Sequence, residues 1–381
     1  MVVLPEGGFG LYIHWPFCQA KCPYCDFNSH VVASVDQARW AAAFEAELDR
    51  IAAITGERVL NSVFFGGGTP SLMSVVTVDR IMSRIQKNWR LANDLEVTLE
   101  ANPTSIEAER FSGYHKAGVN RVSVGVQALN DPDLKALGRL HSAREALGAI
   151  EIARTTFDRV SFDLIYARQN QSVDDWTAEL TQALSLDPDH LSLYQLTVED
   201  GTAFGDRFKR GLLRGLPDED LGADLWNVTQ DKCNAAGLAA YEVSNHAKNG
   251  QESRHNLIYW RSGDWAGIGP GAHGRLTIDG VRHETVAPKA PGAWLSRVED
   301  GKGGDDVMSA MDAEAVLEER VLMGLRMTEG LLMPQPWITN NTSKINELQD
   351  NGFVILSSDR LTVTAAGRPI LNAVINRLLT S

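Results

Sequence analysis

From the N-terminus to about residue 200, short apolar runs alternate with longer segments in which apolar residues recur at helical spacing. A short apolar run is typical of a buried strand, and recurrence every three or four residues is typical of an amphipathic helix. The alternation repeats six times. The predicted strands are 11–15, 62–65, 95–99, 121–124, 160–166 and 190–196. The predicted helices are 36–54, 75–88, 105–116, 131–155 and 173–186.

Six strand–helix units in succession predict a parallel sheet with right-handed crossovers. No seventh and eighth unit follow in the same rhythm, so we expect an α/β fold with a partial (β/α)6 TIM-type barrel. In such barrels functional residues collect at the carboxyl ends of the strands. The polar or glycine-rich positions there are 66–69 after the second strand, Glu100 after the third, Gln127 after the fourth and Asp163 within the fifth. We therefore expect one site on one rim.

Beyond residue 200 the pattern is less regular. It predicts a helix at 218–236, a short strand at 240–243 and a polar loop at 244–247. The polar, glycine-rich stretch 299–306 predicts a linker. We therefore divide the chain into a barrel domain with its extension, 1–298, and a C-terminal part, 299–381.

The end of the chain predicts a small winged-helix-like α+β domain. A helix at 345–351, two short apolar strands and a helix from Ala366 follow the winged-helix order. Winged helices that bind nucleic acid carry basic residues on the recognition helix. The predicted helix has Glu347 and Asp350 and neither Lys nor Arg, so we expect a packing domain.

Composition narrows the class of protein. The 381 residues are 44% hydrophobic and 22% charged, with a formal net charge of −13. This excess of carboxylates argues against a nucleic-acid partner bound through phosphates. No apolar run is as long as a membrane span, and we see no signal-peptide pattern. Few, clustered cysteines favour reduced thiols, so we expect a cytoplasmic protein that is not an integral membrane protein.

Three of the four cysteines, Cys18, Cys22 and Cys25, form a C-x3-C-x2-C array after the first predicted strand. A disulfide would leave one thiol over, whereas a metal centre uses all three. Thiolates favour iron–sulfur clusters, zinc or copper(I). A structural zinc site needs a fourth ligand, which His14, His30 or Asp26 would supply. Three thiolates without a local fourth also suit a cluster with one open iron, so the array alone leaves both centres open.

The other strand ends are individually weak signals. The glycines at 66–68 let backbone amides approach a ligand closely, but they also suit a tight turn into a helix. Glu100 and Asp163 can accept hydrogen bonds from hydroxyl or ammonium groups, as acidic residues do for ribose. Either carboxylate alone is as readily a solvated strand end. Together with the cysteine array, in this order, these positions form one pattern.

That pattern resembles the coproporphyrinogen-oxidase-like branch of the radical SAM superfamily over essentially the whole chain. The motifs are Tyr12-x-His14-x-Pro16-Phe17-Cys18-x3-Cys22-x-Tyr24-Cys25, Gly66-Gly67-Gly68-Thr69-Pro70, Glu100-Ala101-Asn102-Pro103 and Gly125-Val126-Gln127. The resemblance implies a radical SAM type of barrel, a [4Fe-4S] cluster on Cys18, Cys22 and Cys25, and S-adenosylmethionine (SAM) on the open iron. The implied SAM contacts are Tyr12, Gly67, Gly68, Thr69, Glu100, Gln127, Arg139 and Asp163.

Two groups within this branch must be separated. The oxygen-independent coproporphyrinogen III oxidases decarboxylate porphyrinogen propionates and carry a further cysteine where this chain has Phe27. The heme chaperones lack that cysteine and carry an H-N-x-x-Y-W motif in the region that corresponds to 240–275. This chain has the motif in full: His255, Asn256, Tyr259 and Trp260. An imidazole beside aromatic rings suits haem, as axial ligand and stacking walls, but the motif can equally pack on the barrel.

Some positions depart from the branch. It often has Asp-Leu-Ile-Tyr-Gly-Leu-Pro after the fifth strand, where this chain has Ala-Arg-Gln at 167–169. It usually has an aromatic residue at His246 and a small one at Pro270. His246 is either a further haem ligand or, as we favour, a polar loop residue. Three arginines of this region either meet haem propionates or are ordinary surface residues. They are Arg254, Arg261 and Arg275.

The resemblance therefore implies a heme chaperone that carries a SAM-bound cluster, binds haem and passes it to an acceptor protein. The alternative is the coproporphyrinogen oxidase, and we assign no catalytic residue. Whether the chain is an enzyme, which residue ligates haem iron, which protein accepts the haem and whether the chain forms a homodimer are left open.

Overall fold

The computed structural model describes residues 7–104 and 108–380, and six parallel strands in it form the predicted partial barrel. These strands are β1 (Phe9–Trp15), β2 (Val59–Gly67), β3 (Arg90–Ala101), β4 (Arg121–Gln127), β5 (Arg159–Tyr166) and β6 (His190–Gln195). Each pairs with the next in parallel register. Because β1 and β6 pair with other strands on their outer edges, the barrel is open.

Helices connect these strands as predicted. They are Gln37–Thr55, Val75–Asn88, Phe111–Lys116, Asp131–Ala136, Ala143–Thr156 and Val173–Ser185. The prediction of one continuous helix at 131–155 was wrong, because the segment forms two helices. Gly138, at φ +69°, ends the first, and Ser142 starts the second through a capping box with Glu145. The predicted start of the helix at 105–116 falls partly on 105–107, outside the described residues.

Further strands extend both edges of the barrel into a twelve-stranded sheet. Beyond β1 lie Asp264–Ile268, His273–Ile278, Val281–Val286 and Val307–Ala310, and beyond β6 lie Asn245–Ala247 and Ala239–Ala240. Asp264–Ile268 runs parallel to β1, a seventh parallel strand that the sequence did not reveal. The predicted strand 240–243 and loop 244–247 were wrong, since the buried strand is Asn245–Ala247. Its backbone pairs with β6, and that pairing holds polar residues in the sheet.

The remaining helices of this part of the chain are Ala203–Lys209, Glu219–Ala235, Arg254–Trp260 and Pro291–Glu299. An aromatic cluster behind β1 fastens the last of them to the barrel. Trp40 stacks on Trp294 at 5.6 Å between ring centroids, and Phe44 lies 5.2 Å from the same ring. No helix in the described residues is long and apolar enough to cross a membrane.

The stretch 299–306, predicted as a linker, packs on the barrel. Gly304 N donates to Glu47 Oε2 at 2.9 Å, and Arg50 pairs with both Glu47 and Asp305. The strand that follows, Val307–Ala310, belongs to the large sheet. The division at residue 299 stays a prediction, and these contacts favour a later boundary.

The C-terminal part has the predicted order of helix, hairpin and helix. Its helices are Ala313–Gly324, Gln335–Asn340, Thr342–Asp350 and Leu371–Leu379, and its three strands are Leu331–Leu332, Val354–Ser357 and Arg360–Val363. A separate hydrophobic core that includes Ile345, Leu361 and Ile375 holds these elements together. This confirms a small winged-helix-like α+β unit.

Candidate functional site

A cavity of about 530 Å³ opens at the carboxyl ends of the barrel strands. Its wall brings together every predicted cluster and SAM residue except Tyr12. These residues are Cys18, Cys22, Cys25, Gly67, Gly68, Thr69, Glu100, Gln127, Arg139 and Asp163. They come from loops and strand ends far apart in the sequence, which the parallel barrel places on one rim.

Tyr12 lies on β1 without lining this cavity. Its ring stacks on Phe64, and its hydroxyl donates to Nδ1 of His14 at 3.0 Å. Nε2 of His14 donates to the backbone oxygen of Asn28 at 2.9 Å. Tyr12 therefore reaches the cysteine loop through His14 rather than facing the cavity itself.

The glycine triplet is explained by close approach between β2 and the cysteine loop. Gly67 has φ +112°, and a Cβ there would lie 2.6 Å from the His14 ring. A Cβ on Gly68 would lie 2.8 Å from the backbone oxygen of Phe17 and 3.0 Å from Cys18 Sγ. Any larger residue would push the loop away from the strand end, so the backbone can approach a ligand here only with glycine.

A chain of hydrogen bonds links two of the cysteines. Thr69 Oγ1 donates to Cys18 Sγ at 3.4 Å and accepts from Asn102 Nδ2 at 3.3 Å. Arg139 donates to Asn102 Oδ1 at 2.6 Å and to Cys22 Sγ at 3.5 Å. Donors therefore point at two sulfurs, the arrangement that stabilises thiolates and tunes a cluster bound to them.

The burial and mutual proximity of the three thiols favour a bound metal centre. Burial is the main cause that raises the pKa of Cys18 and of Cys25, and the neighbouring Cys22 raises both further. Three thiolates at such close quarters need a cationic centre to be stable, because metal binding and thiol deprotonation are coupled.

A zinc site is poorly supported. Across residues 7–104 and 108–380, no three or more His, Cys, Asp or Glu side chains are arranged to hold one metal ion. Both nitrogens of His14 are already bonded, to Tyr12 and to Asn28. A tetrahedral zinc ion needs its ligands to meet at one point. A cubane cluster attaches each cysteine to a different iron, so the three thiols fit a [4Fe-4S] cluster better.

Two carboxyl groups line the barrel side of the cavity. Burial, and then the charge of Asp163, raises the pKa of Glu100 to about 8. Burial raises the pKa of Asp163 to about 6, while hydrogen bonds from Ser192 and Ser123 oppose the shift. The Ser123 hydroxyl donates to Asp163 Oδ1 at 3.1 Å. Both groups are therefore placed to exchange a proton for a ligand's donor near neutral pH.

Comparison with known proteins identifies the family. Residues 12–180 match the Radical SAM superfamily, and residues 311–370 match the HemN C-terminal domain. The chain is 36% identical over 394 residues to the heme chaperone HemW of Escherichia coli (strain K12), covering 100% of both chains. The chain belongs to the HemW family of the radical SAM superfamily. A radical SAM domain binds a [4Fe-4S] cluster and SAM.

Two further relatives match most of the chain, and one solved structure shares its fold. The chain is 37% identical to heme chaperone HemW of Mycobacterium tuberculosis (strain ATCC 25618 / H37Rv), covering 99% of this chain and 96% of that one. It is also 37% identical to the mitochondrial radical S-adenosyl methionine domain-containing protein 1 of Bos taurus, covering 97% and 87%. Coproporphyrinogen III oxidase (HemN) from Escherichia coli superposes with a TM-score of 0.83 at 21% identity, covering 98% and 91%, which shows a shared fold.

The H-N-x-x-Y-W motif of the HemW family lies on the helix Arg254–Trp260, inside the barrel wall. His255 is 1% exposed. Its Nδ1 lies 2.7 Å from Ser62 Oγ, and its Nε2 lies 2.6 Å from the Tyr259 hydroxyl. Burial lowers the pKa of His255 to about 3, so the ring is neutral. With both nitrogens engaged, this arrangement does not favour His255 as a haem ligand and supports the packing alternative.

The rest of the motif is half-buried on the same helix. Asn256 and Trp260 do not line the 530 Å³ cavity, and neither does Tyr259. His246 is buried on the strand Asn245–Ala247, with Nε2 3.3 Å from Gln230 Nε2. The interpretation of His246 as a loop residue was therefore wrong.

The three arginines of this region are already paired with carboxylates. Arg254 lies 2.8 Å from Asp94 Oδ2. Arg261 lies 3.0 Å from Glu329 Oε1, and Arg275 lies 2.6 Å from Glu319 Oε2. The Arg275 pair is largely buried, whereas the pairs of Arg254 and Arg261 are solvent-exposed, so pairing excludes only Arg275 as a partner for a propionate.

The departure at 167–169 changes the loop after β5 without disturbing the cavity. Ala167 adopts φ +58°, a conformation that normally favours glycine, the residue that the resemblance led us to expect at this position. The next residue, Arg168, is buried and pairs with Glu179 at 2.6 Å and Asp133 at 2.7 Å. This ion-pair group offsets the strain by fixing the loop to two neighbouring helical segments.

The sequence reasoning missed two polar residues at or beside the site, one of which, Arg121, carries a charge that opposes the rise that burial causes in the pKa of Glu100 and of Asp163. Asn102 bridges Thr69 and Arg139, and the only signal for it was its place in the Glu100-Ala101-Asn102 motif. Arg121 is 3% exposed inside the barrel, where it donates to Thr98 and Ser161 hydroxyls. Nothing in the sequence distinguishes it from a surface arginine.

Thr69→Val is expected to lower the reduction potential of the cluster. The substitution keeps the shape of the side chain but removes the donor to Cys18 Sγ, which favours the more negative reduced state. A bond of about 0.5–1.5 kcal/mol corresponds to about 20–60 mV for one electron. Anaerobic redox titration followed by electron paramagnetic resonance measures the shift. Thr197→Val, on the same cavity wall, is the matched control, and an unchanged or higher potential for Thr69→Val contradicts the assignment.

Proposed function

We propose that this protein is a heme chaperone, which carries a [4Fe-4S] cluster with SAM, binds haem and transfers it to an acceptor protein. The observation that carries the proposal is the 36% identity with heme chaperone HemW of Escherichia coli across the whole of both chains. Likeness to the oxidase rests on the shared fold at 21% identity and does not extend to function.

We propose that Cys18, Cys22 and Cys25 hold the cluster and leave one iron open for SAM. Their place on one cavity wall, with donors aimed at two of the sulfurs, supports this. The cluster, when bound, supplies an electron to SAM or a docking point for it.

We propose that SAM lies along the rim of the same cavity. Gly67, Gly68 and Thr69 supply the close backbone approach, and the remaining polar groups are Glu100, Gln127, Arg139 and Asp163. Gln127 holds φ +72° at the end of β4, which turns it towards the cavity wall. Tyr12 acts indirectly, by holding His14 against the returning cysteine loop.

Phe27 is the position that weakens the oxidase alternative. It is 59% exposed and lines the mouth of the cavity, where the oxidases have a further cysteine. A phenyl ring offers neither a thiolate nor a proton, so it would present an apolar surface to whatever covers the mouth.

We propose that the protein has no nucleic-acid partner, as its net charge of −13 favours, and that it works in the cytoplasm, as its few and clustered cysteines favour. We also propose that a separate protein accepts the haem and that the chain forms a homodimer.

The reconstituted protein is expected to bind one haem per chain in a saturable manner. Anaerobic titration with haem, followed by absorbance in the Soret region, measures the stoichiometry. The same sample, given SAM, an electron donor and coproporphyrinogen III, is expected to release no carbon dioxide. Absence of saturable haem binding would refute the chaperone, and multiple turnovers of decarboxylation would establish the oxidase instead.

A further inference from the structure

A second cavity, of about 480 Å³, lies beside the short parallel strands Phe17–Cys18 and His30–Val31. We call it the His30 groove. Its apolar lining residues include Phe17, Val31, Val32, Trp40 and Leu295. The volume falls within the roughly 300–1,000 Å³ that ligand pockets occupy. Val31 and Val32 are 55% and 43% exposed, so the groove presents apolar surface that a flat, apolar ligand would cover.

A neighbouring side chain sets which nitrogen of the neutral His30 ring carries the proton. Nδ2 of Asn28 donates to the backbone oxygens of Pro270 and Lys289, each at 2.9 Å. This fixes the amide orientation, and Oδ1, which can only accept, faces Nε2 of His30 at 3.2 Å. In the neutral ring Nε2 therefore carries the proton and Nδ1 keeps its lone pair. Throughout residues 7–104 and 108–380, no hydrogen bond to that Nδ1 is found.

Such a histidine is prepared to bind a metal. Histidine ligands almost always donate the other ring N–H to an oxygen, which fixes the tautomer and the ring orientation. His30 is half-buried and lines the groove, so its imidazole is accessible there. His255 offers neither accessibility nor a spare nitrogen.

The guanidinium group of Arg39 lies at the same groove. Arg39 lines it and pairs through two hydrogen bonds, of 2.6 and 2.8 Å, with Glu299. Both side chains are largely solvent-exposed, and exposed ion pairs contribute little to stability. The planar guanidinium can therefore exchange Glu299 for another carboxylate, such as a propionate, at little cost.

We infer that haem binds in the His30 groove, with Nδ1 of His30 as an axial ligand of the iron and a propionate on Arg39. The inference rests on the proposed heme-chaperone function and gives the cargo a location. The porphyrin ring lies against the exposed side chains of Val31 and Val32. Since Cys18 pairs with Val31 across the short strands, haem and cluster would share one small segment of backbone.

The test is a haem titration of the full-length, cluster-reconstituted protein and its variants. His30→Ala is expected to weaken haem binding at least tenfold and to remove the spectral signature of histidine ligation, and added imidazole is expected to restore that signature. Val32→Asp, which places a charge on an exposed groove position, is expected to weaken binding equally. Arg39→Ala is expected to weaken it less. His283→Ala, half-buried on the strand Val281–Val286, is the matched control.

The outcomes are distinguishable. If the wild type binds haem, and both His30→Ala and Val32→Asp bind it with wild-type affinity and spectrum, the groove is excluded while the chaperone function stands. If the wild type binds no haem, the proposed function itself fails. Iron and sulfide contents are measured for each variant. Should His30→Ala lose its cluster, Val32→Asp decides, and wild-type affinity in that variant overturns the inference.

Discussion

Glu100→Gln is expected to weaken SAM binding by about 10- to 100-fold at pH 9 and much less at pH 6. A hydrogen bond to a charged group contributes about 1.5–3 kcal/mol, and 1.4 kcal/mol is tenfold in affinity. Burial and the charge of Asp163 raise the pKa of Glu100 to about 8, so below pH 8 the free protein holds a proton there. At pH 6 the neutral carboxyl already resembles the amide of Gln.

The SAM affinity of the wild-type protein is also expected to depend on pH. Donors of SAM favour the carboxylate, so binding releases the Glu100 proton, and affinity rises with pH up to about 8 by at most about tenfold per unit. Calorimetric titration of the anaerobic protein between pH 6 and pH 9, in buffers of different ionisation enthalpy, measures both affinity and proton release. Glu199→Gln, exposed on the same cavity wall, is the control. If the Glu100 variant tracks the wild type at every pH, Glu100 does not bind SAM.

Asp264→Ala is expected to destabilise the protein by about 3–5 kcal/mol. Asp264 is 4% exposed and accepts from Arg58 at 2.6 Å, from Arg282 at 3.0 Å and from the backbone N of Thr277 at 2.6 Å. Removing one partner of a buried ion pair leaves an uncompensated charge. Here that charge is Arg282, which is 5% exposed and keeps a longer contact to Glu319 at 3.3 Å.

Urea denaturation followed by far-ultraviolet circular dichroism measures this loss. Asp94→Ala is the matched control, because it removes the same side chain from an exposed pair with Arg254 and is expected to cost less than about 1 kcal/mol. Equal midpoints for the two variants would show that the Asp264 group does not hold the strand Asp264–Ile268 against β1.

The barrel could be predicted from the sequence because its strands are apolar and its crossovers are local. Short runs rich in β-branched and aromatic residues, such as 62–65 and 160–166, are typical of strands in a sheet covered on both faces. The cavity wall could be predicted for the same reason, since parallel strands deliver their carboxyl ends to one rim. The sequence could therefore predict that the cysteine array lies close to Glu100 and Asp163, although it contains no direct information about distances.

What could not be predicted depends on contacts between distant segments. The strand Asp264–Ile268 has a mixed, glycine-containing sequence, and only pairing with β1 makes it a strand. Asn245 is polar, but its bond to the buried Glu242 lets it enter the sheet. The spacing of His255 and Tyr259, four residues apart, does indicate one helical face. It does not indicate that the second ring nitrogen of His255 contacts the hydroxyl of Ser62, which lies on β2.

The contacts of Asn28 can form only late in the synthesis of the chain. Its side chain donates to the backbone oxygens of Pro270 and Lys289, which lie 242 and 261 residues further along the chain. At a translation rate of roughly 5–20 residues per second, about 13–50 seconds separate the synthesis of the cysteine loop from that of its fastening points. During that interval the cysteine loop lacks these two contacts. We therefore expect the loop to reach its final conformation, and to take up a cluster, only after residue 289 has been synthesised.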